Sequence, residues 1–278
     1  MNAATLAGAG AIALWAFLGL LARAAGSLPP LQLTAMCFAV AALLGLLVLG
    51  LRGRLGDLRQ PALAWAHGVG GLFGFHALYF TALAFAPAAE ANLLNYTWPL
   101  LIVLLSAWLL KLRLTPRHLL GAALGAAGCA LLLGGGARLT AGALPGYLAA
   151  AASALTWAFY SVLSRRLAAV PTGALAGFCA GSAVLAALSH FATEPSVRPD
   201  PLAWAAVLAM GLGPVGGAFF LWDIGMKRGD PRLLGTLAYA TPVASTLLLC
   251  SGGFAPFSTT LLVSAVLVAA GGLVAARA

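Results

Sequence analysis

The sequence predicts an all-α polytopic membrane protein: ten transmembrane helices as two inverted five-helix repeats, with both termini cytoplasmic. Three observations carry this expectation: a composition too apolar for water, an alternation of basic loops, and a faint internal repeat. Of 278 residues, 62% are apolar and 8% are charged, where a soluble domain carries roughly a quarter charged. A spanning helix takes about 20 apolar residues to cross about 30 Å of hydrocarbon, so ten helices use about 200 residues. Only short loops remain. The 34 glycines lie inside apolar runs, which suits close helix packing in lipid better than a flexible linker.

Proline, glycine and charge clusters divide the chain into helices expected at 4–24, 31–50, 62–84, 88–110, 116–135, 145–165, 172–191, 202–224, 231–250 and 258–276. The first could be mistaken for a secretory signal, since Ala22-Arg23-Ala24 loosely resembles a cleavage region. Residues 1–5 carry no basic residue, however, and the apolar stretch is too long for a signal core. It is read as the first span.

Basic residues set the orientation. One set of loops with the C-terminus carries Arg52, Arg54, Arg59, Lys111, Arg113, Arg117, Arg165, Arg166, Lys227, Arg228, Arg232 and Arg277, twelve in all. The other side carries three: Arg23, Arg138 and Arg198. The positive-inside rule places the twelve in the cytoplasm. The net charge of +9 does not mark a nucleic-acid binder, because the basic residues punctuate apolar runs and are not gathered with aromatics on one soluble face. Cys37, Cys129, Cys179 and Cys250 fall within apolar segments without metal-ligand spacing. They read as small packing residues, with no disulfide, metal or cofactor expected.

An offset of about 142 residues brings Trp15-Ala16-Phe17 onto Trp157-Ala158-Phe159, Arg23 onto Arg165 and Cys37 onto Cys179. At 143, Tyr96-Thr97-Trp98-Pro99 falls on Tyr239-Ala240-Thr241-Pro242. The expected units are 1–140 and 141–278 within one membrane domain. Five helices is an odd number, so the second unit inserts upside down. Inverted repeats mark secondary transporters, whose site lies near the midplane at the repeat interface.

The pattern resembles the drug/metabolite transporter superfamily, in particular its EamA-type exporters. The resemblance covers nearly the whole chain. It rests on the Trp-Ala-Phe of helices 1 and 6, on Ala82–Pro99, and on Arg113-Leu114-Thr115-Pro116-Arg117-His118-Leu119-Leu120-Gly121 leading into helix 5. Where the family carries a glutamate, this chain has Leu112, and Ala255 in the second half. The aromatic content of the middle helices is similar to that of YddG-type exporters of aromatic amino acids. The resemblance implies export of amino acids or related metabolites without ATP or a bound cofactor.

Polar groups inside a membrane are costly and face the bundle interior. In helix 4, Asn92, Asn95, Tyr96 and Pro99 share one helical stripe. Helix 6 presents Ser153, Trp157, Tyr160, Ser161 and Ser164 on one face, helix 3 presents His76, Tyr79 and Phe80, and helix 9 offers Thr236, Tyr239 and Pro242. By rise per residue, Trp15, Tyr96, Trp98, Trp157 and Tyr239 come out near mid-depth. His76 and Tyr79 fall in the outer half, and their repeat equivalents Phe219 and Trp222 in the inner half. The substrate-binding set expected is Trp15, His76, Tyr79, Asn95, Tyr96, Trp98, Trp157, Tyr160, Trp222 and Tyr239, walling a central cavity with aromatic rings. Ring stacking contributes on the order of 1 kcal/mol per contact, and ring faces attract an ammonium group, so an aromatic or large apolar amino acid fits. The alternative for each of these residues is helix–helix packing through interhelical hydrogen bonds.

His76 is the one histidine expected well inside a helix, to orient a carboxylate or carry a proton. Asp223 and Lys227 are spaced for an ion pair. The glycines of helices 3 and 8 are expected to bend, and those of helix 5 to pack closely. No Ser/His/Asp set, paired carboxylates, HExxH or Walker A motif points to an enzyme, and no ring of charges or filter-like loop to a channel. An exporter of other metabolites or drugs with proton coupling, or a non-transporting interaction subunit using helix 5 as an association surface, are the other readings. With both halves of a pathway in one chain, a working monomer is expected.

Overall fold

A computed structural model describes residues 1–134, 141–253 and 256–278. Arg138 and Ala255 lie outside the described residues. Among the described residues, ten helices are long and apolar enough to cross a membrane: α1 (Ala3–Ala24), α2 (Pro30–Leu51), α3 (Ala62–Phe85), α4 (Glu90–Leu110), α5 (Pro116–Leu133), α6 (Leu144–Leu163), α7 (Thr172–Thr193), α8 (Pro201–Arg228), α9 (Pro231–Ser251) and α10 (Thr259–Ala276). The largest departure from the expected limits is at α8, which runs on to Arg228. Asp223 and Lys227 neutralise one another there at 2.9 Å, so the helix carries both charges through its last turns.

The starts follow capping chemistry. Proline takes the first helical position in α2, α5, α8 and α9, where its missing N–H costs nothing. Side-chain oxygens of Asn2, Asp200, Asp230 and Ser258 accept backbone N–H groups at the starts of α1, α8, α9 and α10. Thr115 and His118 cap one another at α5. Burial pushes the Asp230 carboxyl up, but the hydrogen bonds and charge of Arg232 more than reverse this and hold it below its ordinary value.

Four spans are interrupted. α4 breaks between Ala88–Asn95 and Trp98–Leu110, and α9 between Pro231–Leu237 and Ala240–Ser251. Pro99 and Pro242 follow the breaks. A proline cannot donate to the carbonyl four residues back, here Asn95 and Ala238, and its ring clashes there. α1 breaks between Ala3–Trp15 and Leu18–Ala24 without a proline, the Phe17 N–H tightening onto the Leu14 carbonyl at 3.1 Å. α8 carries a π-turn at Gly213–Gly217. The glycine cluster of α8 thus coincides with an interruption of the helix, whereas α3 is one continuous helix. Its glycines admit rings instead, since a Cβ on Gly68 would lie 2.2 Å from the Phe178 ring and one on Gly71 2.2 Å from that of Tyr160.

The main packed pairs are α1 with α8, α3 with α6, α2 with α7, α5 with α10, and α4 with α9. α4 also packs on α6, α9 on α1, α3 on α7 and α8 on α2. The two termini share one end of the bundle: Asn2 donates to the Arg228 carbonyl at 3.3 Å and Arg117 to the Arg277 carbonyl at 2.8 Å. At the opposite end Glu194, paired with His190 at 2.9 Å, accepts the Leu31 and Gln32 N–H groups and fastens α7 to α2. Leucines such as Leu43, Leu47 and Leu188 face outward, as a lipid-facing surface requires.

The glycine face of α5 is occupied within the chain. A Cβ on Gly121 would lie 2.7 Å from the Gly271 carbonyl oxygen of α10. The association surface considered for helix 5 is thus covered by α10 at this point. Gly121→Ala is expected to lower the melting temperature in detergent, with a cost of ~1–3 kcal/mol for overpacking against backbone. Gly70→Ala, where a Cβ meets nothing within 4 Å, should raise it by up to ~1 kcal/mol through helix propensity. Thermal unfolding of the two variants checks the sign of each.

Candidate functional site

Four helices each bring one indole to the middle of the bundle. Trp15 of α1, Trp98 of α4, Trp157 of α6 and Trp222 of α8 all touch one another. Ring centroids run from 5.0 Å for Trp15–Trp222 to 6.4 Å for Trp157–Trp222, with the remaining pairs between. None is more than 7% exposed. The backbone interruptions place them. α1 breaks directly after Trp15, and α4 resumes at Trp98. The π-turn of α8 presents the Pro214 carbonyl, which accepts the Trp15 indole N–H at 2.9 Å. The Trp222 N–H donates to Ser161 Oγ at 3.0 Å. Sequence depth put Trp222 in the inner half, yet its ring joins those at mid-depth. The rings expected to wall a central cavity are closed on one another in this structure.

His76 and Tyr79 reach this cluster through rings that the sequence stripes passed over. Phe75 lies 5.2 Å from Trp157, 5.1 Å from His76 and 6.0 Å from Tyr79. Phe38 of α2 lies 5.2 Å from His76, and Phe219 of α8 lies 6.2 Å from Trp15. His76 Nδ1 is bonded to the Leu72 carbonyl at 2.7 Å, which leaves Nε2 as its free nitrogen. The Tyr79 hydroxyl donates to the Asn92 side-chain oxygen, tying α3 to α4. Phe38 and Phe75 are themselves apolar, so a search for polar groups inside the spans does not find them. Helical spacing of Phe75 to Tyr79 was the available signal.

Asn95, Tyr96 and Tyr239 stand apart from the indoles. The Asn95 side-chain oxygen accepts from Ser153 at 2.8 Å. Tyr96 and Tyr239 pack with Cys129 of α5 and Val243, and Gly125 makes room for the Tyr239 ring. Tyr160 points the other way, toward the end bearing the termini. Its ring stacks on His67 at 5.0 Å and touches Trp157 at 5.2 Å. His76 is therefore not the one histidine inside a helix: His67 sits in α3 as well, bonded to Ser164 at 3.4 Å.

The two ends of the bundle are sealed differently. Toward the termini, His67, Tyr160, Ser164, Asp223 and Lys227 surround a space of about 10 Å³, room for one water at most. The Asp223–Lys227 pair is 4% and 7% exposed. Thr172 donates to Asp223 at 2.7 Å and Lys227 to the Val170 carbonyl at 2.8 Å, so α8 is bonded to the start of α7. At the other end the buried stripe of α3 (Ala64, Gly68, Gly71, Leu72) lapses until Ala82. Phe73 to Phe80, the stretch holding Phe75, His76 and Tyr79, are all half-buried.

Removing one member of the sealed pair exposes its worth. Lys227→Met leaves the Asp223 carboxylate buried without its cation, a cost of about 3 kcal/mol. Asp223→Asn with Lys227→Met should recover most of that, because no uncompensated charge remains. Thermal unfolding of both variants in detergent measures the difference.

The sequence pattern of the EamA-like transporter family matches residues 2–134 and again 144–277. The chain is 52% identical to the aromatic amino acid exporter YddG of Ancylobacter novellus, over 99% of this chain and 97% of that one. It is 26% identical to the aromatic amino acid exporter YddG of Salmonella typhimurium, over 97% and 95%. A solved crystal structure at 52% identity superposes with a TM-score of 0.95, covering 99% of this chain and 98% of the other. With the family pattern matched over both halves, this chain belongs to the EamA-like transporter family.

Proposed function

We propose that the chain exports aromatic and large apolar amino acids from the cytoplasm across a bacterial inner membrane, by alternating access and as a monomer. The observation that carries this reading is the 52% identity to an exporter of aromatic amino acids, spanning nearly all of both chains. An aromatic centre is the chemistry such a solute requires: edge-to-face and stacked contacts contribute on the order of 1 kcal/mol each, and ring faces attract an ammonium group.

The bundle supports two inverted halves, 1–140 and 141–278. One family pattern matches twice, with five spans in each match, and an odd number of crossings reverses the second unit. Exchanging each span for the one five later maps the main packed pairs onto one another: α1–α8 becomes α6–α3, α4–α6 becomes α9–α1, and α2–α7, α4–α9 and α5–α10 map onto themselves. Two equivalent triplets result, α1/α8/α9 and α3/α4/α6. Trp15 and Trp222 belong to the first, Trp98 and Trp157 to the second, so the indole cluster joins the triplets at the centre, beside the α4–α9 packing. Twelve basic residues against three favour the termini in the cytoplasm. On that orientation the end closed by the Asp223–Lys227 pair faces inward, and the half-buried stretch of α3 with Phe75, His76 and Tyr79 lies toward the outside. Rocking of one triplet on the other would part the indoles and offer Trp15, Trp98, Trp157 and Trp222, with His76 and Tyr79 beyond them, to a substrate.

Proteoliposomes containing the purified protein are expected to release preloaded radiolabelled phenylalanine or tryptophan faster than empty ones. Absence of flux for any amino acid would overturn the proposal. Trp98→Ala is expected to lower the flux about fivefold or more, since each lost ring contact removes on the order of 1 kcal/mol. Trp157→Ala should lower it as well, at unchanged membrane expression. Unaltered flux in both would overturn the assignment of the aromatic centre while leaving transport intact.

A further inference from the structure

Away from the centre, a groove of about 410 Å³ runs between α2 and α8. Its walls are apolar: Leu44 and Val48 from α2, Phe220 and Ile224 from α8, with the glycines of the π-turn at its deep end. Leu44 and Val48 are 43% and 37% exposed, so the groove opens sideways to the bilayer. Along α2 it extends from Ala41 to Arg52, about 16 Å at the rise of an α-helix. That is half of the ~30 Å hydrocarbon core, the depth of one leaflet. The small residues of the π-turn set the inner limit near the bilayer middle, and two arginines set the outer one.

The mouth has a charge to offer. Arg54 is engaged by Asp57 at 2.8 Å, which cancels one cation. Arg52 is exposed, and makes no hydrogen bond or ion pair among the described residues. One uncompensated guanidinium therefore stands where an apolar, leaflet-deep slot meets the interface. Guanidinium matches phosphate geometry, and basic pockets between spanning helices hold anionic headgroups.

We infer that this groove is a binding site for one anionic glycerophospholipid from the leaflet at the end bearing the termini. An acyl chain lies along Leu44, Val48 and Phe220, and the phosphate lies against Arg52. A lipid seated there contacts both α2 and the π-turn of α8.

Native mass spectrometry of the detergent-purified full chain, supplied with phosphatidylglycerol or phosphatidylcholine at equal concentration, tests the site. Wild type is expected to retain one phosphatidylglycerol about fivefold more often than phosphatidylcholine, the effect of one arginine near an anionic headgroup. Arg52→Ala should abolish that preference, and Val48→Trp, which fills the slot from an exposed position, should lower retention of both lipids. Arg59→Ala, an exposed arginine at the same end that does not line the groove, should change neither. Equal retention of the two lipids by wild type, a preference that survives Arg52→Ala, or retention undiminished in Val48→Trp would each overturn the assignment.

Discussion

The mutual contact of four indoles at the centre of the bundle is the interaction on which the rest of the structure depends. Trp15, Trp98, Trp157 and Trp222 reach it from α1, α4, α6 and α8, and each of the first two arrives at a break in its helix. The break in α4 follows from Pro99. The π-turn in α8 does two things at once: it frees the Pro214 carbonyl for the Trp15 N–H and brings Trp222 within reach of Ser161. Indole is the one large apolar side chain with a strong donor, so it fills volume in a membrane interior and still satisfies a carbonyl or hydroxyl there. Leucines in the same places would pack but would fix neither the π-turn nor the α6–α8 register.

That contact also divides the molecule. Two indoles come from α1 and α8, two from α4 and α6, so any motion of one group against the other must pass through the rings. Toward the termini α8 carries a buried charge pair bonded to the start of α7, and Arg165 at the end of α6 donates to the Gly229 carbonyl at the end of α8 at 2.7 Å. Buried ion pairs are weak sources of net stability, because desolvation offsets most of the attraction. Their directional demand is high, however, and they are lost or kept as a unit. A seal of this kind is well suited to two discrete arrangements.

Much of the architecture was legible because a bilayer permits few solutions. Apolar runs punctuated by proline and charge gave ten helices whose limits lie within a few residues of those in the structure, and the Asp223–Lys227 spacing gave the ion pair. The π-turn was foreshadowed by Gly211, Gly213, Pro214, Gly216 and Gly217. The break in α1 was not, since no proline marks it and the surrounding residues are ordinary helix formers. Glycines in α3 read as bending because spacing alone cannot distinguish a flexible helix from one notched for the rings of Phe178 and Tyr160. Within the candidate site the tryptophans came together as expected. Tyr96 and Tyr239 did not join them, because the break before each proline rotates those rings toward α5. Phe38 and Phe75 were passed over because a phenylalanine carries no polar group of its own to mark an interior face.

The central claim is that the end bearing the termini, closed here, opens when substrate is carried. Spin labels at Arg59→Cys and Arg228→Cys, both exposed positions at that end and on opposite sides of the indole contact, report it directly in a background with the four native cysteines replaced. Double electron–electron resonance in lipid nanodiscs should show one short distance in the sealed state, and a second, longer population on addition of saturating tryptophan. A single distance distribution, unchanged by substrate in a preparation that exports at the normal rate, would contradict the account.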